Sequence, residues 1–159
     1  MGKMLLVDLS KCTGCETCMD ICSGRKAGAY SEKASRIRIF KHEISALFIP
    51  LVCEQCREHP CVDICPANAI QFDKNLSIFL IDESTCTGCG SCEGACPYHG
   101  IFVSDGIAIK CDLCGGGLPC VAVCYPKALQ YVDVTRDNIV SDLKYKTDKL
   151  KKIRRYFHG

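Results

Sequence analysis

The chain has 159 residues, enough for one domain, and sixteen of them are cysteine. A cysteine content near a tenth leaves a disulfide scaffold or a metal protein, and four similar quartets built mostly on intervals of two and three residues are ligand spacing, which argues against the first. The formal charge of +2 treats every thiol as neutral; thiolates holding metal would shift it, so the apparent basicity says little about nucleic acid.

The start of the chain, MGKMLLVDLSKC, has no cleavable apolar core and no twin arginine, and Leu6 stands where a myristoylation signal needs a hydroxyl residue. The longest apolar run, near Ile44–Cys53, is too short to span a bilayer. These features lead us to expect a reducing, cytoplasmic setting in which the thiols stay available for metal.

In chain order, residues 4–10 (MLLVDLS) predict a strand leading into the first quartet, Cys12, Cys15, Cys18 and Cys22. No proline follows Cys22, so a helix begun around Cys18 is expected to run on, with residues 23–36 as a polar surface excursion. Residues 35–40 (SRIRIF) alternate as a strand does, and ISALFIPL carries a second apolar stretch towards the next quartet. That quartet is Cys53, Cys56, Cys61 and Cys65, closed by Pro66; its insert REHP is expected to bulge outward. Residues 69–72 and 77–81 read as short strands around the turn Asp73-Lys74-Asn75. The third quartet, Cys86, Cys89, Cys92 and Cys96 followed by Pro97, has the spacing C-x2-C-x2-C-x3-C-P. In such a run three thiolates hold one iron–sulfur cluster and the fourth ligates a different one. The fourth cysteine is expected to open a short helix pointing away, with the proline preventing the chain from folding back. Residues 100–111 predict a hairpin turned at Asp105-Gly106. The fourth quartet is Cys111, Cys114, Cys120 and Cys124, with the loop GGGLP inside it and its proline, Pro126, one residue late. Residues 128–132 are a last strand. The unit of quartet, proline, small residue, hydrophobe and strand is an internal repeat.

Residues 134–159 lie outside that repeat. Seven lysines and arginines, from Lys144 to Arg155, face only Asp142 and Asp148 between Ser141 and Gly159, and Ile139, Leu143, Leu150, Ile153 and Phe157 fall at helical spacing interrupted by Lys146. A basic helical tail is expected, its apolar stripe packed either on its own domain or on a partner.

Four 4Fe–4S clusters would use all sixteen cysteines. Zinc also takes four thiolates, but a tight run closed by proline is not its usual spacing. His42, His59, His99 and His158 read as loop or surface residues; His99, three residues after Cys96, could tune a centre from outside its ligands. Loop glycines serve either tight turns or close approach of amides to sulfur. There is no catalytic constellation, no GxGxxG and no Walker loop, so the polypeptide is expected to move electrons and not to be an enzyme by itself. An exchange of fourth ligands leaves two pairings open by spacing: middle quartets together and outer quartets together, or first with second and third with fourth.

The stretches CTGCETCMDIC…SRIRI (12–39), CEQCREHPCVDICPANAI (53–70), CTGCGSCEGACPYHGI (86–101) and KCDLCGGGLPCVAVCYPKAL (110–129) resemble the four-cluster iron–sulfur subunits of molybdenum, tungsten and nickel oxidoreductases. The resemblance implies an α+β, ferredoxin-like polyferredoxin with short hairpins and short helices. It implies two bicluster modules, the outer from 1–40 and 108–133 and the inserted one from 41–107, within a domain of 1–133. It implies ligation by Cys12, Cys15, Cys18 and Cys124; by Cys53, Cys56, Cys61 and Cys96; by Cys86, Cys89, Cys92 and Cys65; and by Cys111, Cys114, Cys120 and Cys22. The implied role is relay between a catalytic subunit and a ferredoxin or flavin subunit, with no nucleic acid and no membrane span. The short loop between Cys114 and Cys120 and the short C-terminal segment look most like the electron-transfer subunit of a tungsten aldehyde oxidoreductase. Carbon-monoxide dehydrogenase, hydrogenase, formate dehydrogenase and molybdenum reductase subunits, or a freestanding soluble polyferredoxin, are the alternatives.

Overall fold

The computed structural model describes residues 2–157, so His158 lies outside the described residues. Strand β1 (Lys3–Val7) finds its antiparallel partner at the far end of the sequence, in β8 (Leu129–Asp133), with Lys3 opposite Asp133 and Val7 opposite Leu129. Three local hairpins fill the chain between them: β2 (Ile37–His42) with β3 (Leu47–Val52), β4 (Ile70–Asp73) with β5 (Ile78–Ile81), and β6 (Ile101–Ser104) with β7 (Ile107–Lys110). Their turns follow from local chemistry. Asp105 and Gly106 both take positive φ, 50° and 78°, as a two-residue turn of primed type demands. Asp73 Oδ1 accepts the N–H groups of Asn75 and Leu76 at 2.8 and 2.9 Å.

Helices α1 (Thr17–Ala27), α2 (Pro60–Asp63), α3 (Ser91–Ala95) and α4 (Pro119–Ala122) each lie within or run through a quartet, and α5 (Arg136–Phe157) follows the last strand. Helix α1 packs on α4 and α2 on α3. As expected, α1 continues beyond Cys22; it ends at Gly28, whose φ of 70° forms a left-handed cap. Residues 23–36 are not simply a surface excursion. Ser23 and Ser35 are buried: Ser23 Oγ donates to Asp20 O at 3.0 Å and accepts the Ser31 N–H at 3.2 Å, and Ser35 Oγ donates to Ile37 O at 2.7 Å. Those bonds fold the segment back onto the core before β2 begins.

One apolar cluster joins β1, β8 and the β2–β3 hairpin through Leu5, Val7, Ile37, Ile49, Val52 and Leu129, and includes Ile153 of α5. A smaller cluster gathers Ile70, Ile101 and Ala108 around Cys61 and Cys92. Burial of each such aliphatic side chain contributes about 1.5–3 kcal/mol.

The stripe expected on the last helix is corrected. Leu143 is 59% exposed, and the face turned inward carries Asp142, Lys149 and Ile153. Charged groups can lie inward because they are paired there: Lys149 Nζ reaches Glu54 Oε1 at 2.5 Å and Lys146 Nζ reaches Asp142 Oδ2 at 2.7 Å. The end of α5 is fixed by rings, with Phe157 4.5 Å from Phe40 and Tyr156 4.7 Å from His42 between centroids. The basic helix thus packs on its own domain. No helix among the described residues is long and apolar enough to cross a membrane.

Candidate metal centres

The third cysteine of every quartet, and not the fourth, opens a helix. Cys18, Cys61, Cys92 and Cys120 are each the second residue of α1, α2, α3 and α4. This corrects the expectation that the fourth would do so, and the reason is local. Glu16, His59 and Gly90 precede their helices with φ of 62°, 45° and 79°, and Pro60 and Pro119 supply a preset first residue. The unpaired N–H groups of a helix start favour a thiolate there. Of the REHP insert, Arg57 and Glu58 are exposed, while His59 and Pro60 form this helix entrance.

The fourth cysteines share a different feature: each accepts a backbone N–H. Ala69 N donates to Cys65 Sγ and Gly100 N to Cys96 Sγ, both at 3.3 Å. Leu129 N donates to Cys124 Sγ at 3.4 Å. The donor is four residues on where proline follows the cysteine directly, and five on where Pro126 comes a residue late. Cys22 has no such proline and stays inside α1; its donor, Arg36 N at 3.3 Å, comes from the segment that Ser23 and Ser35 tie down. Amides directed at sulfur stabilise its negative charge.

The sulfurs gather across quartets. Cys12 feels the charge of Cys15 and Cys124, and Cys18 that of Cys12, Cys15, Cys120 and Cys124. Cys61 feels Cys53, Cys56 and Cys96, while Cys92 feels Cys65 and Cys86. Cys114 and Cys120 feel Cys22, and Cys111 feels Cys53 and Cys120. Burial first, and then these neighbouring sulfurs, push the thiols of Cys18 and Cys120 up to about 12 and that of Cys61 to about 11. Cys15 and Cys89 are the exposed sulfurs. Hydrogen bonds from the Thr17 and Ser91 side chains and amides hold these two thiols below their ordinary value.

Charged residues that the sequence did not single out stand beside these sulfurs. Asp112 Oδ2 takes both Lys26 Nζ and Arg36 Nη1 at 2.6 Å, and its Oδ1 accepts the Cys114 N–H at 3.1 Å. Glu54 directly follows Cys53, and Lys110 directly precedes Cys111. Their adjacency to ligands was the available signal, but a partner such as Lys149, distant in sequence, was not readable. The His59 ring lies 4.4 Å from Phe79, and that of His99 stacks 4.8 Å from Phe157.

Among the described residues no three His, Cys, Asp or Glu side chains converge on the position of a single ion. A cluster asks something different of its ligands, since each thiolate takes its own iron. Thiols gathered in sets, with helix starts and amide donors aimed at them, are a donor set that suits iron–sulfur clusters.

Comparison with known proteins gives the same chemistry. The family model described as 4Fe-4S dicluster domain matches residues 44–134, and a 4Fe-4S binding domain matches residues 9–28. The chain is 37% identical over 123 residues to the aliphatic sulfonate oxidoreductase polyferredoxin-like subunit of Pyrococcus furiosus, covering 76% of this chain and 70% of that one. It is 35% identical over 140 residues to the NADH-dependent phenylglyoxylate dehydrogenase subunit beta of Aromatoleum evansii, covering 86% of this chain but only 31% of the relative. Among solved structures, the active-site complex BamBC of benzoyl coenzyme A reductase with 1,5-dienoyl-CoA aligns with a TM-score of 0.50 at 23% identity, over 97% of this chain and 90% of that one, which speaks to the fold alone. The match over more than half of the sequence shows that the chain belongs to the 4Fe–4S dicluster domain family.

Proposed function

We propose that the chain is the electron-transfer subunit of an oxidoreductase complex and carries four 4Fe–4S clusters. The observation that carries this reading is that each fourth cysteine stands within electrostatic reach of one or two of the first three cysteines of another quartet. Cys124 acts on Cys12 and Cys18, Cys96 on Cys56 and Cys61, Cys65 on Cys92, and Cys22 on Cys114 and Cys120. On this reading, which these neighbours support, the ligand sets are Cys12, Cys15, Cys18 and Cys124; Cys53, Cys56, Cys61 and Cys96; Cys86, Cys89, Cys92 and Cys65; and Cys111, Cys114, Cys120 and Cys22. Four such sets use sixteen cysteines, every one in the chain. When bound, such clusters take up and release single electrons.

The residues around them hold, shield and polarise. The nested arrangement of an outer module (1–40 and 108–133) around an inserted one (41–107), with 134–159 as an appended segment, is supported by the pairing of β1 with β8 and by the packing of α1 on α4 and of α2 on α3. The β2–β3 hairpin straddles the boundary between residues 40 and 41, so the modules share a core element. Exposure of Cys15 and Cys89 favours approach by partners at those two points, whereas Cys53 and Cys111 are buried together.

The favoured catalytic partner is a tungsten aldehyde oxidoreductase, with electrons passing on to a ferredoxin or flavin subunit in the cytoplasm; molybdenum and nickel enzymes are the alternatives. A subunit role is supported by the Pyrococcus furiosus relative, of whose length the chain spans 70%. Anaerobic purification of the native complex with metal analysis tests the reading. Iron near sixteen per chain with tungsten in a large partner is expected. Molybdenum or nickel would change the partner and substrate, and absence of any partner from a fully iron-loaded chain would refute the subunit role. A Cys124→Ser variant tests the exchange: it should disturb the centre of the first quartet and spare that of the fourth.

A further inference from the structure

Lys110, the last residue of β7, is only 4% exposed. Its Nζ donates to Phe79 O at 2.5 Å, to Cys111 O at 3.2 Å and to Gln55 Oε1 at 3.4 Å. Gln55 sits between Cys53 and Cys56, and its own Nε2 donates to the same Cys111 carbonyl at 2.9 Å. One ammonium thus fastens the ligand loop of the second quartet to the first cysteine of the fourth. All three of its acceptors are neutral. Among the described residues no carboxylate forms an ion pair with it, in contrast to Lys149, which has Glu54, and Lys26, which has Asp112.

A buried ammonium without a counter-charge costs several kcal/mol, so a built position of this kind calls for negative charge nearby. The groups that supply it are the sulfurs. Lys110 acts electrostatically on Cys61 and on Cys111, which belong to the second and fourth quartets.

We propose that Lys110 is a fixed cation shared by the iron–sulfur centres built on the second and fourth quartets, and that it raises the reduction potentials of both above what they would be without it. The inference rests on the ligand sets proposed above. Reduction adds one electron, supplied in the test by dithionite through mediators, to a centre that is already anionic. A neighbouring positive charge stabilises the reduced state more than the oxidised one.

The test is an EPR-monitored redox titration of the full iron-loaded chain, wild type against Lys110→Met, Lys110→Gln and Lys110→Arg, with iron and sulfide measured on each. In the two neutral variants, iron should stay full and two of the four centres should become harder to reduce. At a fixed ambient potential their reduced-to-oxidised ratio should fall roughly tenfold, the scale of one unit charge at about 10 Å in an effective dielectric of about 20. The arginine variant, which keeps the charge, should titrate like wild type. Unchanged potentials in fully loaded neutral variants, or an equal shift of all four centres, would overturn the proposal. So would neutral variants that load less iron than the arginine variant, since the cation would then serve assembly. Iron well below sixteen per wild-type chain would instead sink the ligand sets beneath it.

Discussion

Gly100 offers a sharp test of how the second centre is closed. An added Cβ there would stand 2.5 Å from Val52 C, Val52 O and Cys53 N, all backbone atoms. Relief to an ordinary contact near 3.5 Å requires the loop of Cys96 and the strand of Cys53 to separate by about 1 Å. No flexible side chain can absorb that, and the Gly100 N–H is also the donor to Cys96 Sγ. Overpacking of this kind costs about 1–3 kcal/mol, and here the movement separates two proposed ligands of one centre. Gly100→Ala should lower the iron content by about a quarter on the four-cluster reading, remove one centre from the EPR spectrum and reduce thermal stability. Gly94→Ala is the control: it lies within α3, and its added Cβ meets nothing within 4 Å. It should load fully and be neutral or slightly stabilising, by about 0.5–1 kcal/mol. A Gly100→Ala protein with full iron and wild-type stability would refute the close-approach reasoning.

Other consequences can be checked in parallel. Lys149→Met leaves Glu54 buried without its cation and should cost about 3–5 kcal/mol in anaerobic urea unfolding, most of it recovered by adding Glu54→Leu; a loss below about 1 kcal/mol would refute a role for the pair. Burial opposes ionisation of Asp112, but hydrogen bonds from Lys26 and the Cys114 amide, with the charges of Arg36 and Lys26, outweigh it and leave the carboxyl below its ordinary range. Its stabilisation is therefore complete above about pH 4 and lost as pH falls through the folded value. The stability gap between wild type and Asp112→Asn should be constant from about pH 5 to 7 and shrink below about 4; a gap that widens on acidification would refute this sign.

The parts of this molecule that were legible in the sequence are those encoded by neighbours. The Asp105-Gly106 turn needs two positive φ values and has residues that accept them. The quartets follow from spacing, and the absent proline after Cys22 correctly announced a longer α1. Misreadings arose where distant partners decide. Residues 23–36 are polar in sequence, yet Ser23 and Ser35 are buried by hydrogen bonds that only the fold supplies. Helical spacing put Leu143 on the packed face, but Glu54 draws Lys149 inward and rotates Leu143 into solvent. Periodicity counts hydrophobes and cannot weigh a buried ion pair some ninety residues away in sequence.

The two kinds of quartet divide the work of shielding. In the first and third, the sequence CTGC is followed by only two residues before the next cysteine, and the middle sulfurs, Cys15 and Cys89, stay exposed. In the second and fourth, four or five residues intervene and end in the proline that opens the helix, and Cys56 and Cys114 are half-buried. On the proposed exchange, each module joins one quartet of each kind, and the shielded members meet where Cys53 lies beside Cys111. Burial deepens there and thiolate charge is hardest to solvate. Lys110, tied to both loops, stands at that junction, where charge stabilisation by water is least available and a fixed cation has its largest effect.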